Sequence, residues 1–100
     1  MPKIYEYFGL VFFFYSNDHE PIHVHVRKGG RQSIFELYIQ DGNLTEIRQR
    51  NEICSESLSD KEVILAESFI HAYYKRIIEK WMKFFVLKKR IRCTSVTRKI

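Results

Sequence analysis

The densest run of side chains able to do chemistry is Asp18-His19-Glu20-Pro21-Ile22-His23-Val24-His25. On an extended strand His23 and His25 place their Cα atoms roughly 6.6 Å apart, with both imidazoles on one face. Two imidazoles in that disposition can share one metal ion. Asp18, His19 or Glu36 would supply a third ligand, and an open position would polarise a bound water for hydrolysis. Without a metal, His19, His23 or His25 could act as general acid or base, with Glu36 as the orienting carboxylate. The same spacing also describes imidazoles that simply line the polar face of a sheet. No cofactor is favoured on residue types alone, a divalent metal ion being the alternative.

A second candidate is electrostatic. Residues 80–100 carry Lys80, Lys83, Lys88, Lys89, Arg90, Arg92, Arg98 and Lys99 with no acid, a charge of +8 that leaves −3 on residues 1–79. The overall balance of +5 therefore hides an acidic body with a basic end. Clustered cations release counterions from nucleic acid, and Tyr73, Tyr74, Trp81 and Phe85 lie close enough in sequence to stack on bases. Docking onto an acidic protein partner is the other use of such an end. Against both stand a solvated charged tail and aromatics that are core, as their helical spacing suggests.

These groups need elements to hold them. Residues 10–15, Leu-Val-Phe-Phe-Phe-Tyr, are apolar on both alternating faces, which suits a strand covered on both sides. Residues 22–27 alternate strictly and Gly29-Gly30 forms a two-residue hairpin turn, glycine supplying positive φ at no steric cost. That loop sets Val24 opposite Phe35 and Ile22 opposite Leu37 on one face. On the other it sets His23 opposite Glu36, His25 opposite Ile34 and Arg27 opposite Gln32. A strand over 33–39 ends at Asp41-Gly42-Asn43, and a weaker one follows over 44–50.

Ser59-Asp60-Lys61-Glu62 is a capping box, with Ser59 as N-cap. Ala66, Ile70, Tyr73, Ile77, Trp81 and Phe84 then recur at three- and four-residue steps, an apolar stripe able to lie on a sheet. A helix over 60–87 would be about 42 Å long, against a diameter of roughly 34 Å for a compact chain of this length. It must overhang, break near Tyr73–Tyr74 or dock on another subunit. The apolar end at Trp81, Met82, Phe84 and Phe85 favours an overhang used in dimerisation or binding. Beyond it, Ile91, Cys93 and the Thr/Val-rich residues suit an edge strand.

Composition narrows the classes. One hundred residues with 45% hydrophobic content suit a single folded domain and exclude global disorder. No run of about 20 apolar residues exists to span a membrane, and the first 30 residues lack a secretory pattern. Cys54 and Cys93 make no disulfide framework and read as reduced thiols in a cytosol. There is no glycine-rich phosphate loop, no paired CxxC and no serine elbow.

The stretch Phe13-Phe14-Tyr15-Ser16-Asn17-Asp18-His19-Glu20-Pro21-Ile22-His23-Val24-His25-Val26, with Met1-Pro2 and Gly9 before it, resembles the small prokaryotic family catalogued as domain of unknown function 4160. The resemblance extends over most of residues 1–85, including a helix that ends near Trp81. It departs where Ile22 stands in place of a second proline in the His-Pro-Pro-His pattern. Residues 88–100 lie outside it. The resemblance implies membership of a toxin–antitoxin-like or regulatory pair and directs attention to Asp18, His19, His23 and His25, with no activity attached to them.

The expected fold is α+β: a three- to four-stranded antiparallel sheet packed on one long C-terminal helix. Residues 1–87 form the domain and 88–100 a basic extension. The expected function is a cytoplasmic binding module that engages a partner protein, RNA or DNA through the basic end, with a homodimer through the end of the helix. The alternative is a small ribonuclease-like enzyme working on the His23, His25 and Glu36 face, with or without a metal.

Overall fold

Alternating residues and tight turns build most of the sheet from local hairpins, and one helix covers one of its faces. The computed structural model describes residues 3–14, 22–51 and 56–99, the side chain of Asn51 excepted. The strands are β1 (Lys3–Tyr7), β2 (Leu10–Phe13), β3 (His23–Lys28), β4 (Arg31–Gln40), β5 (Asn43–Asn51) and β6 (Thr94–Val96); the helix α1 (Asp60–Trp81) precedes β6. They form one sheet in the order β5-β4-β3-β2-β1-β6. Every pairing is antiparallel except β1 with β6, which is parallel.

The expectation of three or four antiparallel strands undercounts this mixed, six-stranded sheet. Two strands account for the difference. In β1 the register shifts between Lys3 and Tyr5, so Ile4 and Tyr5 are consecutive and both buried, which erases the alternation a strand is recognised by. The residues of β6 suit an edge strand, yet their parallel partner lies some ninety positions earlier, at Tyr5–Tyr7. The segment expected to be a basic extension thus completes the sheet.

The central hairpin has the expected register: Val24 faces Phe35, His23 faces Glu36, His25 faces Ile34 and Arg27 faces Gln32. The Leu37 amide donates to the Ile22 carbonyl at 2.8 Å, continuing the ladder. Only Gly29 takes a positive φ, +59°; Gly30 does not, so the turn follows the II′ rather than the I′ pattern.

Helix α1 starts at the expected cap. The Glu62 amide donates to Ser59 Oγ at 3.3 Å, and the Ser59 amide donates to Glu62 Oε1 at 2.8 Å. Arg31, from the start of β4, adds a two-pronged ion pair to the same carboxylate. The inward stripe centres on Phe69, whose ring lies 4.5 Å from Tyr73, 4.7 Å from Phe12, 4.9 Å from Tyr7 and 5.1 Å from Tyr5, centroid to centroid. Those rings, with Val24, Val26, Phe35, Leu37, Ile70 and Ile77, make the main core.

The helix neither breaks at Tyr73–Tyr74 nor overhangs. After Trp81 it loosens into a π-helical turn, Met82–Val86. Trp81 is buried, and Phe85 lies 4.9 Å from it and 5.6 Å from Phe14. Trp81, Phe84 and Phe85 find their partner on this chain's own β2 side, within principal extents of 33 × 25 × 25 Å, while Met82, Val86 and Leu87 stay exposed.

Candidate functional site

The strand alternation delivers a polar face opposite α1, and the expected trio shares it. His25 stacks on Phe13 with ring centroids 5.3 Å apart at 19°, and His23 meets His25 edge-on at 5.3 Å. The Arg27 guanidinium lies 5.4 Å from the centroid of the Phe13 ring. Glu36, across from His23, receives the Tyr38 hydroxyl on Oε1 at 2.9 Å and faces Arg50 Nε at 3.2 Å through Oε2. That bond to Glu36 holds the Tyr38 phenol above its ordinary pKa. Sequence reasoning misses Tyr38 and Arg50, although Tyr38 follows Glu36 by two on one strand and so must share its face.

Burial limits what this face can do. His23 is 6% exposed and His25 3% exposed, so both imidazoles are packed rather than presented. A general base must come within hydrogen-bond reach of the proton it removes. Two rings in an aromatic stack at that exposure are better placed to pack than to meet a substrate. Among the described residues, no three His, Cys, Asp or Glu side chains gather as a metal ion would require. The third ligands expected at Asp18 and His19 lie outside the described residues, as does Cys54.

The basic end divides into two kinds of cation. Lys80 is structural: its ammonium donates to the Ile4 carbonyl at 2.7 Å, the Arg92 carbonyl at 2.7 Å and Thr94 Oγ1 at 3.2 Å, and lies 4.0 Å from the Tyr5 ring centroid. Burial pulls its pKa below the ordinary lysine value. This ammonium fastens α1, β1 and the approach to β6 together, a role that charge alone does not distinguish from binding.

Five of the other cations surround open space. Lys88, Lys89 and Arg90 line a cavity of about 320 Å³ together with Phe84 and Phe85. Beside it, Lys83, Arg90, Ile91, Arg92 and Thr94 line a second cavity of about 300 Å³, which the tied Lys80 also borders. Arg90 borders both. Phe84 and Phe85 are edge-on to each other at 4.7 Å and rest on Phe14, at 6.3 and 5.6 Å respectively. Such volumes sit at the lower end of those that hold small organic ligands, about 300–1,000 Å³. Arg98 and Lys99 follow β6 and line neither cavity. Of the aromatics expected to stack on bases, Tyr73 and Trp81 are committed to the core; Phe85 lines the first cavity and Phe84 joins it.

Cys93 is exposed, and its thiol is held above the ordinary value, by partial burial first and Glu6 second. A raised thiol makes little thiolate and is a poor nucleophile. No helix among the described residues is long and apolar enough to cross a membrane.

Compared with known proteins, residues 9–82 match the model of one family, "Domain of unknown function (DUF4160)". No curated protein and no solved structure is detectably similar to the chain.

Proposed function

We propose, for a chain that belongs to the DUF4160 family, a binding module that takes single-stranded nucleic acid at its basic C-terminal end. The carrying observation is the cavity of about 320 Å³ in which Phe84 and Phe85 meet Lys88, Lys89 and Arg90. Base–aromatic stacking contributes about 1–3 kcal/mol per base and tolerates any sequence. Neutralised phosphates release counterions and add a salt-dependent term. Lys83 and Arg92 continue the positive track past Arg90. Such a module would work in a prokaryotic cytosol as one member of a toxin–antitoxin-like or regulatory pair, a role that rests on the family likeness.

A ribonuclease-like reading draws support from the shared face of His23, His25 and Glu36, with Tyr38 and Arg50 attached. The burial of both imidazoles weighs against it. One experiment separates the readings: labelled single-stranded RNA incubated with the protein, with and without chelator, and run on native and denaturing gels. The binding reading expects a native shift and an intact strand. Cleavage would overturn it, the chelator lane then dividing metal from imidazole chemistry. Neither shift nor cleavage would also overturn it and leave an acidic protein as the partner. Reversing Lys88, Lys89 and Arg90 to Glu is preferable to truncation at residue 88, which would delete β6 from the sheet.

A further inference from the structure

We infer that the β5 edge is a self-complementary interface through which two copies of this chain pair across a two-fold axis centred on Ile47. Among the described residues β5 is the outer strand of the sheet, nine residues long. An outer strand presents a row of backbone donors and acceptors to any strand of fitting register. The register itself tells which groups face outward. The Leu37 amide bonds to Ile22, so Glu36 and Tyr38 turn their backbone groups toward β5. Their partners Arg48 and Glu46 therefore turn theirs inward, and Ile47 and Gln49 turn theirs out.

The side chains then choose the axis. Antiparallel pairing centred on Ile47 sets Glu46 against Arg48 of the second copy, and Arg48 against its Glu46. Centring on Arg48 would oppose two arginines, and centring on Glu46 two glutamates; like charges directly opposite are destabilising. Within one chain Arg48 Nε already meets Glu46 Oε2 at 2.6 Å, and the remaining guanidinium N–H groups can serve a second carboxylate. The pairing would thus assemble a four-charge cluster on one face and an Ile47–Ile47 contact on the other.

That second face is the one α1 covers, and it offers a surface of mixed polarity at the same edge. Gln49 of β5 lines a cavity of about 610 Å³ with Ser57, Leu58, Asp60, Val63 and Ile64. Ile64 is 65% exposed, the most exposed of the large hydrophobic side chains among the described residues. The second copy's β5 would lay Thr45 opposite Gln49 along this cavity. The register shift beside Tyr38 makes Thr45 the extra residue of a bulge, so the flat stretch that pairs symmetrically about Ile47 is 46–48 and the dimer is a weak one.

The test is sedimentation of the full chain over a wide concentration range, for wild type, Glu46→Arg, Arg48→Glu and an equimolar mixture of the two variants. Wild type is expected to dimerise reversibly, and each variant alone to associate about tenfold more weakly or worse. The mixture should regain wild-type association as a heterodimer, since each reversed charge then faces its opposite in the other chain. A local effect on folding cannot produce that recovery. A wild type that stays monomeric, a dimer indifferent to both reversals, or a mixture that stays monomeric would each overturn the inference. A dimer sensitive only to substitutions at Val86 and Leu87 would overturn it too, placing the interface at the exposed end of the helix.

Discussion

Lys80 and Ile4, 76 positions apart, are joined by a hydrogen bond of 2.7 Å from an ammonium to a backbone carbonyl. The same ammonium also satisfies the Arg92 carbonyl and the Thr94 hydroxyl while resting on the Tyr5 ring. Replacing Lys80 with Met keeps the packing stem and removes all three bonds. Lys80→Met is expected to cost about 1–3 kcal/mol and to raise amide exchange selectively in β6 and β1. Unchanged denaturant midpoint and exchange would show that this ammonium holds nothing.

Glu62 gives a pH signature. The Arg31 guanidinium, then the Ser59 amide, hold its carboxyl down at about 2. A depressed folded-state pKa stabilises above the unfolded value and is lost as pH falls through the folded one. Stability should therefore decline between about pH 4.5 and 2. Glu62→Gln should flatten that decline and lower stability at neutral pH by about 1–2 kcal/mol, discounted for the partial exposure of Arg31. Acid titrations monitored by circular dichroism check both parts.

Phe8 occupies the left-handed region at φ 45° in the β1–β2 turn, where Gly9 follows at 83°. Its side chain is 48% exposed and touches Tyr7 edge-on at 4.8 Å. Asparagine tolerates that backbone far better than a bulky aromatic residue. Phe8→Asn is expected to raise stability by about 0.5–1 kcal/mol in a urea melt. A drop in stability would mean that the packing on Tyr7 outweighs the relieved strain.

His25 tests the division between the two candidate sites. Its ring is packed on Phe13 and 3% exposed. His25→Ala should cost about 2 kcal/mol or more while leaving RNA affinity unchanged under conditions where the variant is folded. A fall in affinity with undiminished stability would move the binding site to the histidine face.

How far the sequence is legible follows from the range of each interaction. The β3–β4 register can be read because Gly29-Gly30 closes the turn locally and the alternation on either side permits one pairing. The Ser59–Glu62 cap is legible for the same reason, its partners being three residues apart. Arg31 on Glu62, β6 on β1 and Lys80 on Ile4 join distant segments, and composition carries no trace of such partners. β1 is hidden because its bulge buries Ile4 and Tyr5 in succession. Alternation places the histidines on the correct face but is silent on their burial: it says which side a residue points to, and packing decides whether that side is open. Charge counting finds the basic end yet cannot separate Lys80, tied to carbonyls, from Lys88, Lys89 and Arg90 around a cavity.

The central claim is most directly tested by the salt dependence of single-stranded RNA binding, followed by fluorescence anisotropy for wild type and the Lys88→Glu/Lys89→Glu/Arg90→Glu variant. If these three cations neutralise phosphates, the slope of log affinity against log salt should shrink by about 2, at roughly 0.7 for each phosphate no longer neutralised, with the fold unchanged by circular dichroism. Equal slopes and affinities for the two proteins would contradict the account.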